Sequence, residues 1–223
     1  RLRPALAWQC SPLAVAAVIV AALSAASFRM VGPIYGQEVG LTAGQIAWFL
    51  SAFVLGGALA QFPVGWLADK YDRRWVLIWL SVAAIVSAMI TVAAAGTGTL
   101  GIMLCAGLFG LTTFPIYSVA AAHAHDFANN DERVELAAAL MFFFALGAIF
   151  APYLASVLIE NYGPGALFIM ISASHAVLVI FGLTRMRARA TPNERTEFVS
   201  TPRTTFLVGR LFRRGRNGQD HSD

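Results

Sequence analysis

Apolar residues along this chain fall into six long runs separated by short polar breaks. The runs cover about residues 12–35, 43–67, 75–95, 99–123, 134–159 and 166–184. Each is close to or above the ~20 residues that an α-helix needs to cross the hydrocarbon core of a bilayer. Turn-forming residues mark the breaks: Gly36 to Gly44, Gly96-Thr97-Gly98, Asn129-Asn130-Asp131 and Asn161 to Gly165. No stretch alternates polar and apolar positions in the way a membrane barrel strand does. The pattern predicts an all-α integral membrane protein with six transmembrane helices over 12–184. A lead-in (1–11) precedes them and a polar tail (185–223) follows. The tail is expected to be disordered. Within it, the stretch from Thr204 to Arg214 has the makings of a short interfacial helix, with Phe206, Leu207, Leu211 and Phe212 towards lipid, although Gly209 interrupts it. Arg1, Arg3, the first apolar run and Ser24-Ala25-Ala26-Ser27 also resemble a secretory signal. The run is too long for one and continues through Arg29. The absence of an initial Met is what a piece of a longer protein would show.

Composition agrees with the pattern. Apolar residues make up 58% of the chain and its mean hydropathy is +0.67, against about 45–50% apolar in soluble domains. A pI near 9.5 raises the question of nucleic acid. The basic residues, however, sit in breaks and tail, which is a membrane pattern, and no nucleic-acid partner is expected. One side would carry Arg1, Arg3, Lys70, Arg73, Arg74, Arg133 and nine tail arginines from Arg185 to Arg216. The breaks on the opposite side contain no Lys or Arg, only Glu38 and Glu160. The positive-inside rule then places both termini in the cytoplasm of a bacterial inner membrane, with lipid as a partner of the basic tail. Cys10 and Cys105 have neither metal-ligand nor redox spacing and are expected as apolar filler.

The stretch from Gly65 to Trp75 crowds five charges (Asp69, Lys70, Asp72, Arg73, Arg74) between two apolar runs. Cations alone would set topology. Interleaved carboxylates suggest ion pairs across the turn, with Asp69 placed to pair with Arg73 or Arg74 and to cap a helix N-terminus. Gly65-x-Leu67-Ala68-Asp69-Lys70-x-x-Arg73-Arg74 resembles the signature loop of the major facilitator superfamily, G-x-L-A-D-(R/K)-x-G-R-(R/K), between the second and third helices of a six-helix half. One position departs: Asp72 stands where the family usually has Gly, which makes the loop more acidic and its backbone less permissive. In the fifth run, Gly147, Ala151, Pro152 and Ala155 resemble the family's G-x-x-x-G-P-x-x-G pattern, with Ala for two glycines. Small residues four apart let helices approach closely. The resemblance implies that this face packs against the other half of a transporter.

The resemblance further implies secondary active transport of a small solute by alternating access, coupled to protons or another ion, with no catalysis and no cofactor. It implies a conformational gate at Gly65, Asp69, Lys70, Arg73 and Arg74. The chain is expected to be the C-terminal half, whose partner is the missing six-helix half. A natural half-transporter working as a homodimer is the alternative. An intramembrane protease would need a nucleophile facing a base at depth, and no G-x-S-x-G elbow is present. An ion channel would need a longer re-entrant loop or a charge ring.

Polar residues inside the runs are the candidates for contact with a solute, whose identity the sequence does not give. Arg29 is the cation within a run. It suits either snorkelling to the interface or an anionic group in a cavity. In the fourth run, Thr112, Thr113, Pro115 and Tyr117 lie near mid-span. Pro115 removes a backbone hydrogen bond and crowds the carbonyl of Leu111, which the two threonines are expected to relieve. The resemblance places the first and fourth helices at the cavity. Gln61 and Pro63 make a weaker version of the same case. His123, His125 and Asp126 suggest metal ligation, but two His two apart on a helix diverge, and no metal site is expected. A histidine inside a run, such as His175, is most often a hydrogen-bonded packing residue, and no role is assigned to it.

Overall fold

The computed structural model describes residues 3–188, and every regular element among them is an α-helix. These are α1 (Pro4–Cys10), α2 (Pro12–Glu38), α3 (Ala43–Lys70), α4 (Arg73–Ala93), α5 (Thr99–Thr113), α6 (Ile116–His125), α7 (Arg133–Tyr162) and α8 (Ala166–Ala188). Six spans are long and apolar enough to cross a membrane: α2, α3, α4, α5 continued by α6, α7 and α8. The chain is a multi-pass membrane protein. Most of the tail, including the stretch from Thr204, lies outside the described residues.

Most of the spans outrun their apolar stretches, with polar residues capping or extending the ends, while α4 begins two residues before its stretch and ends two short of it. Ser11 opens α2 by accepting the Ala14 N–H at 3.1 Å, with Pro12 in the first turn. Thr42 and Gln45 form a reciprocal capping box on α3. Gly163 closes α7 with φ +82°, in the left-handed region that favours glycine. The lead-in, expected as a simple entry segment, is helical over α1. Pro4 begins it, and Leu6, Ala7 and Cys10 are buried against the bundle. Arg3 bonds Glu135 of α7 at 3.0 Å.

Close pairs build the bundle: α3 on α5, α2 on α7, α4 on α8, with α8 also against α2. Glycine sets the first pair. A Cβ on Gly56 would collide with the Gly107 carbonyl, and one on Gly110 with the Phe53 carbonyl. The fifth-run motif packs closely, as small residues four apart allow. A Cβ on Gly147 would meet the Ile19 carbonyl and the Ala22 side chain at 2.9 Å, and Ala151 and Ala155 are buried. The small-residue face therefore meets α2 of the same half. The outward face of α7 instead presents Ile149, Phe150 and Tyr153.

The apolar interior divides into two layers stacked along the helices. One gathers Leu13 to Ala21 of α2, Ala60 to Ala68 of α3, α6, Leu136 to Leu140 of α7 and Leu178 of α8. The other gathers Phe28 to Tyr35, Ile46 to Phe53, Ile102 to Phe109 and Leu167 to Ile171. An aromatic stack holds the second, with Phe28 and Phe53 ring centroids 4.3 Å apart. Between the layers lies a waist, which α2 crosses at residues 22–27 and α8 at 172–177. Span four is interrupted at the same height, between Thr113 and Ile116.

Candidate functional site

Two groups of polar side chains stand out. The first is at the end of the bundle that carries the Gly65–Trp75 stretch, called here the basic end. Arg73, in the first turn of α4, has its side chain only 1% exposed. Its guanidinium donates to Asp126 Oδ1 at 2.6 Å, to the Ala122 carbonyl at 3.1 Å, to the Ala68 carbonyl at 3.3 Å and to Asp69 Oδ1 at 3.1 Å. One side chain thus ties the end of α3, the start of α4 and the end of α6. The hydrogen bonds offset the cost of burying the charge. Asp126 is equally enclosed, at 3%, while Asp69 is 45% exposed.

Asp69 pairs with Arg73. The Arg74 N–H that opens α4 bonds Asp72 Oδ1 at 3.0 Å, so the cap seen there belongs to Asp72 and not to Asp69. Asp72 also holds the Arg74 guanidinium at 2.7 Å. Asp72 sits at φ −62°, ψ 118°, an ordinary extended conformation, so the turn needs no glycine here. Lys70 lies over the rings of Trp66 and Tyr71, at 4.8 and 5.6 Å. Gly65 is buried one turn before Asp69.

The sequence pattern groups Asp126 with His123 and His125 and does not single it out as the principal partner of Arg73. The three diverge. His123 packs edge-on to Phe127 at 5.3 Å, His125 Nδ1 lies 2.7 Å from the Ala121 carbonyl, and Asp126 turns to Arg73. The signal present in the sequence was a carboxylate just past an apolar run, at the same end of the bundle as a buried arginine.

The second group is at mid-span. Arg29 is exposed on α2, with its guanidinium carbon 5.9 Å from the centroid of Phe114, the residue at the span-four break. That ring rests on Gly57 of α3, where any Cβ would collide with it. Gln61 lies one turn further along α3, and its buried Oε1 has no hydrogen-bond partner among the described residues. Arg29, Phe114 and Gln61 thus mark one neighbourhood. Thr112, Thr113 and Tyr117 are enclosed by the half's own helices. The Thr112 and Ser87 hydroxyls lie 3.0 Å apart, Thr113 bonds the Phe109 carbonyl at 2.8 Å, and the Tyr117 hydroxyl donates to Met141 Sδ at 3.0 Å. The threonine hydroxyls reach carbonyls of Leu108 and Phe109 and not the Leu111 carbonyl that Pro115 leaves without its donor. A helical hydroxyl bonds the carbonyl three or four residues before it, and Leu111 is only one and two residues before the threonines.

Six spans with one interrupted at mid-height, a buried charge hub at one end and an exposed mid-span cation define a helical multi-pass membrane domain. A sequence profile of the Major Facilitator Superfamily matches residues 14–216, and the chain belongs to that family. An uncharacterized MFS-type transporter of Yersinia enterocolitica is 30% identical over 161 residues, 72% of this chain and 41% of that protein. One from Salmonella paratyphi B is 31% identical over 182 residues, 81% of this chain and 46% of that protein. The chain spans about half the length of the curated relatives it matches. Among solved structures, the POT family transporter PepTSo superposes with a TM-score of 0.67 at 16% identity, covering 95% of this chain and 45% of that one. An auto-inhibited POT family peptide transporter gives 0.65 at 16% identity, covering 87% and 39%. These likenesses establish the fold.

Proposed function

We propose that this chain forms one six-helix half of a secondary transporter that moves a small solute by alternating access, coupled to a proton or another ion. The other half would cover the exposed apolar faces of α3 and α7, where Leu55, Leu59, Phe62, Phe150 and Tyr153 stand outward. In this reading the basic end faces the cytoplasm of a bacterial inner membrane, by the bias of Lys and Arg towards that end. Arg73 and its carboxylates hold that end shut in one state and exchange partners in the other. The solute meets the Arg29 neighbourhood.

The observation that carries the reading is Arg29 itself. A charge at mid-span is costly unless it faces protein, water or a counter-charge. Arg29 is exposed, and its one described side-chain contact is with the Phe114 ring. An anionic group on the solute satisfies that requirement. The test is uptake by the complete transporter in proteoliposomes, across solute panels that differ in charge. Arg29→Ala is expected to lower uptake of an anionic solute at least tenfold at normal protein abundance, with Arg29→Lys recovering part of it. Equal uptake by Arg29→Ala would assign the residue to snorkelling.

A further inference from the structure

The waist between the two apolar layers contains a polar cluster that the transport reading above does not use. We propose that His175, with Ser24, Ser27 and Ser172, forms a mid-membrane proton-binding site, the proton adding to the imidazole Nδ1. The proposal rests on the transport reading, which it deepens by naming the coupling ion and its carrier.

The geometry comes first. His175 is fully buried on α8, and its Nε2 lies 3.0 Å from Ser24 Oγ of α2. Ser24 Oγ also lies 3.0 Å from the Val20 carbonyl, to which it donates its single hydrogen. A hydroxyl that donates to a carbonyl can meet the ring only as an acceptor, so Nε2 carries the ring's hydrogen. Nδ1 is then the basic nitrogen, and it has no hydrogen-bond partner among the described residues. The two helices run antiparallel. One turn away from the basic end, Ser24 is followed on α2 by Ser27, and His175 on α8 by Ser172. Both hydroxyls are buried and equally without a partner among the described residues. Three polar atoms without a partner among the described residues therefore lie on adjacent turns of one helix pair. Buried polar groups are otherwise nearly always satisfied, and such a cluster is where internal water or a transferred proton finds its contacts.

Chemistry narrows the ligand. None of the 12 Asp and Glu residues lies within an apolar run away from its ends, and of the four His only His175 does. His175 is nine residues into α8, about 14 Å along it at 1.5 Å per residue. Near mid-membrane, this half offers a coupling proton one side chain whose ordinary range covers neutral pH. The charged groups of the surrounding helices do not enter the cluster. Those of α2 are Arg29, two residues past Ser27 but exposed where Ser27 is buried, and Glu38 at the far end. Those of α4 are Arg73 and Arg74 at its start, and those of α7 are Arg133, Glu135 and Glu160 at its two ends. The site therefore holds no fixed counter-charge among the described residues, which argues against a metal cation and favours a proton.

The step is an acid–base addition. A proton from the aqueous phase takes the Nδ1 lone pair, both ring nitrogens become donors, and the Ser24, Ser27 and Ser172 oxygens, directly or through water, accept. Release reverses it. Proton affinity differs between the closed waist seen here and one opened to water, so binding shifts the balance between the two.

The experiment uses the complete transporter in lipid nanodiscs with 15N-labelled histidine, and the probe is the proton itself. His175→Gln identifies the His175 signals against those of the other histidines. The expected result is that both ring nitrogens convert from the neutral-tautomer pattern to the imidazolium pattern as the pH is lowered. Hydrogen exchange of residues 22–27 and 172–177 should change with the same midpoint. The Ser27→Ala/Ser172→Ala double variant should move that midpoint by half a unit or more, about threefold in proton affinity. A ring that keeps one neutral tautomer throughout overturns the proposal, as does an unchanged exchange response in His175→Gln. The wild-type spectrum decides even if a variant does not fold. Failure of the transport reading shows separately, as absent solute flux with a titrating His175. Proton-coupled flux with a silent His175 would sink this inference alone.

Discussion

Arg73 has two carboxylate partners that differ in environment, and the difference predicts unequal consequences. Removing the charge of Asp126 leaves a buried guanidinium with one partly exposed counter-charge, a class of change that costs ~3–5 kcal/mol. Removing that of Asp69 loses a pair open to solvent on one side, a class worth about 1 kcal/mol or less. Asp126→Asn is expected to lower the thermal unfolding temperature in detergent several times more than Asp69→Asn. Equal shifts would mean that the hub is not dry. The pair Asp69–Arg73 was legible in the sequence, being four residues apart at a helix junction. The stronger partner was not, because Asp126 is 53 residues from Arg73 and only the return of span four to the basic end brings them together. His175 shows the same limit. Its neighbour Ser24 is 151 residues away, and nothing local distinguishes a packing histidine from one beside unpartnered hydroxyls.

Among the elements, α3 and α5 approach so closely that their backbones touch through glycine. Gly110→Ala is expected to destabilise the bundle by about 1–3 kcal/mol, because the methyl group must displace the Phe53 carbonyl of a rigid helix. Gly44 is the control, since a Cβ added there would have nothing within 4 Å. Gly44→Ala should stay within ~1 kcal/mol of the parent. Thermal unfolding of the two variants side by side checks this, and equal stability would refute the backbone contact. Spans were readable from apolar length alone, and the break in span four from Pro115. Which face of α7 turns inward was not. Gly147, Ala151 and Ala155 announce close packing without naming a partner, and here the partner is α2 of the same half.

For the whole molecule, the distribution of charge predicts an orientation that labelling can check. Cys10 and Cys105 are both buried, so the background for a membrane-impermeant maleimide is low. In intact cells, Thr97→Cys is expected to react from outside, while Asn130→Cys should react only after the membrane is breached. The reverse pattern would invert the topology. The fold also carries a consequence for how the molecule comes apart. Every span passes through both apolar layers, and the waist between them is polar on α2 and α8 and broken in span four. Cooperative unfolding units are then expected to follow layers, not helices, since the buried apolar side chains cluster within each layer. Native-state exchange should divide each long helix in two. Amides of residues 13–21, 60–68 and 116–124 should open together, and those of 28–35, 46–53 and 102–109 as a second group with its own free energy. A protein built this way has a horizontal seam. One storey can loosen while the other keeps its shape, and a single helix is firm on one floor and yielding on the next.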